Sequence, residues 1–323
     1  MSPRHHANRT TILHVGIVAA TLFALVVLLS AALASGGEAL RERAGGGSAA
    51  GAPGGASRDA GGRATVLGRL PARVSESSGV APSEAHADVL WTHNDGGEGV
   101  LYAISVDGGA RRASVGVVGA EAVDWEDLAR GPCPGGGARG DCLFIADIGD
   151  NDATRESVRI LVVPEPERLE DAMEIAPLVT VAFRYPEGAT DAEALAIGSD
   201  GRALIVSKGM DGDARVYELA PDAFTGGGDG VREARLVTPL PIDVRRAGGS
   251  VTGAALSPDG RSLAVRTLAD VYVFAAEDLS RAPQVCPVGE AQSQGEAIAF
   301  LDATTMVLTS EGAESPVLAL RCP

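Results

Sequence analysis

Residues 254–274 read AALSPDGRSLAVRTLADVYVF, and this short stretch holds the plan of the chain. Small and apolar residues run up to a Ser-Pro-Asp-Gly turn, a second alternating run follows, and a third run closes the unit. Proline presets the backbone at the turn and glycine takes the conformation other residues resist, so the run must fold back on itself. The same layout returns at 194–219 (ALAIGSDGRALIVSKGMDGDARVYEL) and at 297–320 (AIAFLDATTMVLTSEGAESPVLAL). Two more divergent copies lie upstream, at 128–163 with CLFIADIGDN and VRILVV, and at 80–106 with VLWTHNDGGEG and LYAISV. Each of the first four copies is followed by a further strand candidate: RRASVGVVG, PLVTVAFRY, EARLVTPLPI and APQVCPV. The fifth lacks one, whereas residues 64–74 (ATVLGRLPARV) form a spare strand ahead of the first copy.

Repeats of about 40–50 residues with four strands each are the signature of a β-propeller. The expectation is an all-β chain of five four-stranded blades, the last closed by residues 64–74, with six blades as the alternative count. At Leu256–Val265, LSPDGRSLAV, the chain resembles the TolB and YVTN class of bacterial extracytoplasmic propellers. That resemblance implies the fold over most of residues 64–323 and carries no chemistry, because such folds serve scaffolds and enzymes alike. Phytase-like and lactonase-like propellers are similar in outline, without motifs that transfer residue by residue.

The 323 residues carry a formal charge of −16, which argues against a nucleic-acid partner. Arg4, His5, His6 and Arg9 precede an apolar run over residues 12–34, long enough for a membrane anchor, with the Ala32-Leu33-Ala34 cleavage site of a long signal peptide as the alternative. Flanking arginines then keep the N-terminus inside, with the remainder periplasmic, at the cell surface or secreted. Residues 36–63 are rich in Gly and Ala and read as a linker. Residues 1–63 hold six arginines and three acids, so residues 64–323 carry −19. Export fits the four cysteines, with Cys133 pairing Cys142 across a Gly-rich excursion and Cys286 left for Cys322.

In a propeller the first strand of each blade lines the axis. Aligning ESSGVA, DWEDLA, DAEALA, TGAALS and QGEAIA gives one ring of Glu76, Asp124, Asp191, Thr252 and Gln294. Two residues on come Ser78, Glu126, Glu193, Ala254 and Glu296. The second strands add His93, Asp147, Lys208, Arg266 and Glu311, with Asp95, Asp150 and Asn151 just beyond. The plain reading is structural, with turn acids capping backbone amides. The sharper one is a cation site, since crowded acids repel one another and Ca²⁺ takes about 6–8 oxygens. Its expected ligands are Asp124, Glu126, Asp191, Glu193 and Glu296, then Asp147 and Asp150, with Lys208, Arg266 and His93 free to receive an anionic group. Nucleotide and redox cofactors are not expected, since the chain has no P-loop and its GxG runs follow no strand. A G-x-S-x-G elbow is missing, and zinc is not expected without H-E-x-x-H and with only His86 and His93 outside the N-terminal segment.

Three functions follow: a ligand-binding module with an acidic, calcium-occupied channel mouth; a metal-dependent hydrolase of a phosphoester or lactone, which would stop turning over on Glu126→Gln or Glu193→Gln; and a metal-free scaffold for a protein partner.

Overall fold

A computed structural model describes residues 63–136, 140–226 and 230–322. The expected anchor over residues 12–34 lies outside them, as does the expected linker over residues 36–63 apart from Arg63, which opens the first strand. Among the described residues no helix is long and apolar enough to cross a membrane.

Strand β1 (Arg63–Arg69) is followed by five blades. Blade 1 comprises β2 (Ser77–Pro82), β3 (Val89–Asn94), β4 (Gly97–Ser105) and β5 (Arg111–Ala122). Blade 2 comprises β6 (Trp125–Pro132), β7 (Asp141–Asp147) and β8 (Val158–Pro164); the chain then forms β9 (Met173–Ile175) before returning as the blade's fourth strand, β10 (Val179–Arg184). Blade 3 is built from β11 (Ala192–Ile197), β12 (Ala203–Ser207), β13 (Arg215–Leu219) and, after the short β14 (Arg232–Glu233) that joins the sheet of blade 2, β15 (Arg235–Pro239). Blade 4 is β16 (Val251–Leu256), β17 (Ser262–Thr267), β18 (Asp270–Ala275) and β19 (Gln284–Pro287). Blade 5 is β20 (Gly295–Phe300), β21 (Thr305–Ser310) and β22 (Pro316–Arg321), and β1 pairs antiparallel with β22 to complete it. The count is five, and the strand ahead of the first repeat closes the ring.

Two sheets have five strands instead of four. The link between β8 and β10 lays β9 parallel along β5, and β14 does the same for β10. Both additions cover an outer edge that would otherwise expose unpaired backbone groups.

The turns joining first and second strands explain the sequence repeat. In blade 4 the Ser257 amide bonds Ser262 O at 2.9 Å, Gly260 N bonds Ser257 O at 2.8 Å, and Asp259 Oδ1 accepts the Arg261 amide at 3.1 Å. Gly260 sits at φ +69°, which a side chain would disfavour. Asp302 does the aspartate's part in blade 5, accepting the amides of Thr304 and Thr305 at 2.8 Å each.

The hydrophobic core is divided among the five blade interfaces, one cluster to each. Trp91 and Trp125 are fully buried in the cluster between blades 1 and 2, so both tryptophans pack the core. Nearest the axis the side chains shrink, because five blades converge there. Equivalent positions on the inner strands are all alanine: Ala81, Ala129, Ala196, Ala255 and Ala299. Both expected disulfides are present, Cys133–Cys142 and Cys286–Cys322. The second joins β19 of blade 4 to the residue following β22 of blade 5.

Candidate functional site: the acidic end of the axis

Every inner strand carries a β-bulge near its start. The registers shift between Ser77 and Gly79, Trp125 and Asp127, Ala192 and Ala194, Val251 and Gly253, and Gly295 and Ile298. A bulge inserts one unpaired residue and re-aims its side chain. The residues at this place are Ser78, Glu126, Glu193, Thr252 and Glu296. Four belong to the expected second ring. In blade 4 the bulge falls on Thr252, not Ala254, so the expected alignment there was two residues out. The first ring accordingly takes Ser250, whose carbonyl accepts the Leu268 amide as those of Glu76, Asp191 and Gln294 accept the amides of Asp95, Lys208 and Glu311. Thr252 turns its hydroxyl to the carbonyls of Gly295 and Glu296, at 2.9 and 3.1 Å, and ties blade 4 to blade 5.

The same slip separates the five second-strand residues. Lys208 and Glu311 stand one residue beyond their strands, where side chains reach the mouth. His93 and Arg266 lie two residues deeper in the blade and do not reach it. Arg266 is fully buried and donates to the carbonyls of Ala297 and Thr309, at 2.7 and 2.6 Å, as a tie between blades. His93 is equally buried, with Nδ1 3.0 Å from Asn94 O and its ring edge-on to Trp125. Burial pushes its pKa down to about 4, which leaves it neutral. Neither is placed to receive an anion. Asp147 is buried between Arg155 (2.9 Å) and Arg159 (2.7 Å), and Asp150 accepts the amides of Thr154 and Arg155 at 2.8 Å each. Both oxygens of each carboxylate are thus engaged, which leaves the second-choice ligands with structural work.

The mouth itself gathers Glu76, Asp95, Asp124, Glu126, Asp191, Glu193, Glu296 and Glu311. The cation among them is Lys208, whose Nζ lies 2.7 Å from Glu193 Oε1, 3.4 Å from Asp191 Oδ2 and 3.0 Å from Asn151 Oδ1. Asp191 also accepts the Asp150 amide at 2.9 Å. Gly149 completes one wall, so close that a Cβ there would lie 2.2 Å from Glu126 Oε1 and 2.4 Å from Asp124 Oδ2.

The three bulge glutamates are 4–8% exposed. Burial, then the charge of neighbouring carboxylates, holds Glu126 well above the ordinary range and Glu296 up to about 8. Burial lifts Glu193 to about 7 against the pull of Lys208. The same desolvation raises Asp124, Glu76 and Glu311. Burial alone would lower the pKa of Lys208, but Glu193 and Asp191 hold the ammonium above its usual value. These groups therefore share too few counter-charges, which favours their protonated forms. Among the described residues no three His, Cys, Asp or Glu side chains already stand in the arrangement of a metal site.

Directly below lies a residue absent from the expected rings. Asp127 is fully buried, and its carboxylate accepts the amides of Leu128 (2.8 Å), Leu195 (2.7 Å) and Ala254 (3.2 Å), on the inner strands of blades 2, 3 and 4. It closes the axis beneath the mouth. Beyond it, at the far ends of the inner strands, opens a cavity of about 270 Å³ lined by all five blades.

No protein-family model matches the chain, and no curated protein matches it. Solved structures do. The chain is similar to the PQQ-bound form of aldose sugar dehydrogenase from Streptomyces coelicolor, at 14% identity over 82% of this chain and 99% of that one, with a TM-score of 0.51. It is more distantly similar to a luciferin-regenerating enzyme, at 11% identity over 81% and 95% of the two chains and a TM-score of 0.47. A gluconolactonase from Xanthomonas campestris matches at 14% identity over 81% and 90%, with a TM-score of 0.42. At such identities the likeness is one of fold, and the chain is a five-bladed β-propeller with propeller enzymes among its structural neighbours.

Proposed function

We propose that this chain is an exported propeller that binds a ligand at the acidic end of its axis, with calcium among the carboxylates. The carrying observation is the placement of Glu126, Glu193 and Glu296 on the same bulge of three blades, buried, above the ordinary carboxylate range, with Lys208 the cation bonded among them. The donor set fits a hard cation, since it offers carboxylate and amide oxygens and neither thiolate nor imidazole. Lys208 already fills the Asp191–Glu193 side. Asp124 and Glu126, against the open Cα of Gly149, would hold the ion, which would supply positive charge among carboxylates that burial now raises. Two disulfides support export, and residues 12–34 would provide either the anchor or a cleaved signal.

A second reading, hydrolysis of a lactone or phosphoester, rests on Glu193, a buried acid near neutrality beside Lys208 and suited to general acid–base work.

Thermal unfolding of the full chain separates calcium binding from a metal-free scaffold. Calcium at a hundredfold excess over its Kd should raise the midpoint by about 5 °C or more relative to chelator. Glu126→Gln should remove most of that rise. A midpoint unmoved by millimolar calcium overturns the metal site and leaves a scaffold.

A further inference from the structure

The cavity at the far end of the axis is separate from the acidic mouth, with Asp127 between them. Its walls are set by strand alternation. In an antiparallel strand the amides point alternately to the two sides. Leu128, Leu195 and Ala254 point theirs at the axis, where Asp127 takes them. At the other end of the inner strands the amides of Ser83, Gly198, Ser257 and Leu301 bond back into their own blades, at 2.8–2.9 Å. Between these limits the amides of Arg130, Ile197, Leu256 and Phe300 face the axis, and all four residues line the cavity. The fifth equivalent, Pro82, has no N–H. One layer of inner-edge donors thus holds a carboxyl group of the chain itself, and the next layer repeats the donors around an open space.

The remaining features define what fits. Between the two layers lies the ring of five alanines, which gives the cavity a band of small apolar lining. At the rim stands Arg130, a third exposed, with Nε 3.4 Å from Asp141 Oδ2. Asp141 in turn is held by Glu84, whose Oε2 accepts its amide at 2.9 Å. A volume of about 270 Å³ is below the usual range for drug-sized ligands and suits a body of a few carbons.

We propose that this cavity binds a small monocarboxylate, with its head on the inner-edge amides of Arg130, Ile197, Leu256 and Phe300 and its short alkyl body among the ring alanines. Arg130 supplies the rim charge, and Asp141 competes for it. Asp127 is the internal precedent for this mode of recognition.

Calorimetric titration of the full chain with sodium butyrate tests the assignment. Saturable binding to one site is expected, the same with calcium or chelator, because Asp127 separates the two ends. Ala196→Leu should fill the cavity there and weaken binding at least tenfold. Arg130→Gln, at the rim and safe for folding, should weaken it several-fold, and Asp141→Asn should strengthen it by freeing Arg130. The proposal is overturned if butyrate shows no saturable binding at about 50 mM. It is equally overturned if 1-butanol binds as well as butyrate, or if Ala196→Leu folds and binds unchanged.

Discussion

Asp127 is the residue on which three blades meet. Its two oxygens collect amides from inner strands that are otherwise edges facing the axis. Asp127→Ala would leave three buried N–H groups without a partner, and stability should fall by about 3 kcal/mol or more in denaturant unfolding. Asp127→Asn keeps one acceptor and should lose less. The bulge glutamates make a different prediction. Glu193 and Glu296, at about 7 and 8 in the fold, lie above the usual carboxylate value, so their protonated forms favour the folded state. That contribution is complete at low pH and is lost as pH rises through the folded values. His93, depressed to about 4, acts in the opposite sense, losing stability as pH falls from 6.5 toward 4. Between pH 6.5 and 8 Glu193 and Glu296 therefore act without opposition from His93, and Asp127, also raised by burial, acts in the same sense as they do. The melting midpoint should fall across that range, and Glu193→Gln with Glu296→Gln should flatten the fall.

At the scale of elements, the strands were readable because alternation and Asp-Gly turns are local signals. Five blades and the closing strand follow from them, whereas both cysteine pairs follow from the even count and the short Gly-rich spacing of Cys133 and Cys142. Bulges are not local signals. Each inner strand slips its register by a residue at the place where the site is built, and no pattern of side chains announces the slip. Blade 4 was consequently aligned on Ala254 in place of Thr252, and His93 and Arg266 were drawn toward a mouth they do not reach. Asp127 escaped notice for the same reason, since a regular strand sets it on the face opposite Asp124 and Glu126. The three bulge glutamates that the alignment places at the mouth sit on blades that begin with the same Asp/Gln-x-Glu spacing, at Asp124, Asp191 and Gln294. The two disulfides act on different elements and should differ in weight. Cys286–Cys322 spans 36 residues and fastens blade 4 to the closing blade, whereas Cys133–Cys142 spans nine within one blade. By loop-closure entropy, Cys322→Ser should cost about 4 kcal/mol and Cys133→Ser about 2.5 kcal/mol, measured by unfolding in denaturant.

Over the whole molecule, the axis has an acidic end and, at the far ends of the inner strands, a cavity lined by all five blades. The starts of the inner strands crowd carboxylates around one lysine, and Asp127 takes three inner-edge amides between that end and the cavity. The propeller's excess of acids is thus partly a local property of one end. The mouth also contains the sequence's single lysine. Lys208 lies between the second and third strands of blade 3, locked to two carboxylates. This makes the acidic end uniquely addressable: an amine-selective label has one side chain to find, and a lysine-specific protease one bond to cut. An occupant of the mouth would govern access to both, and the molecule would then carry its own reporter of occupancy.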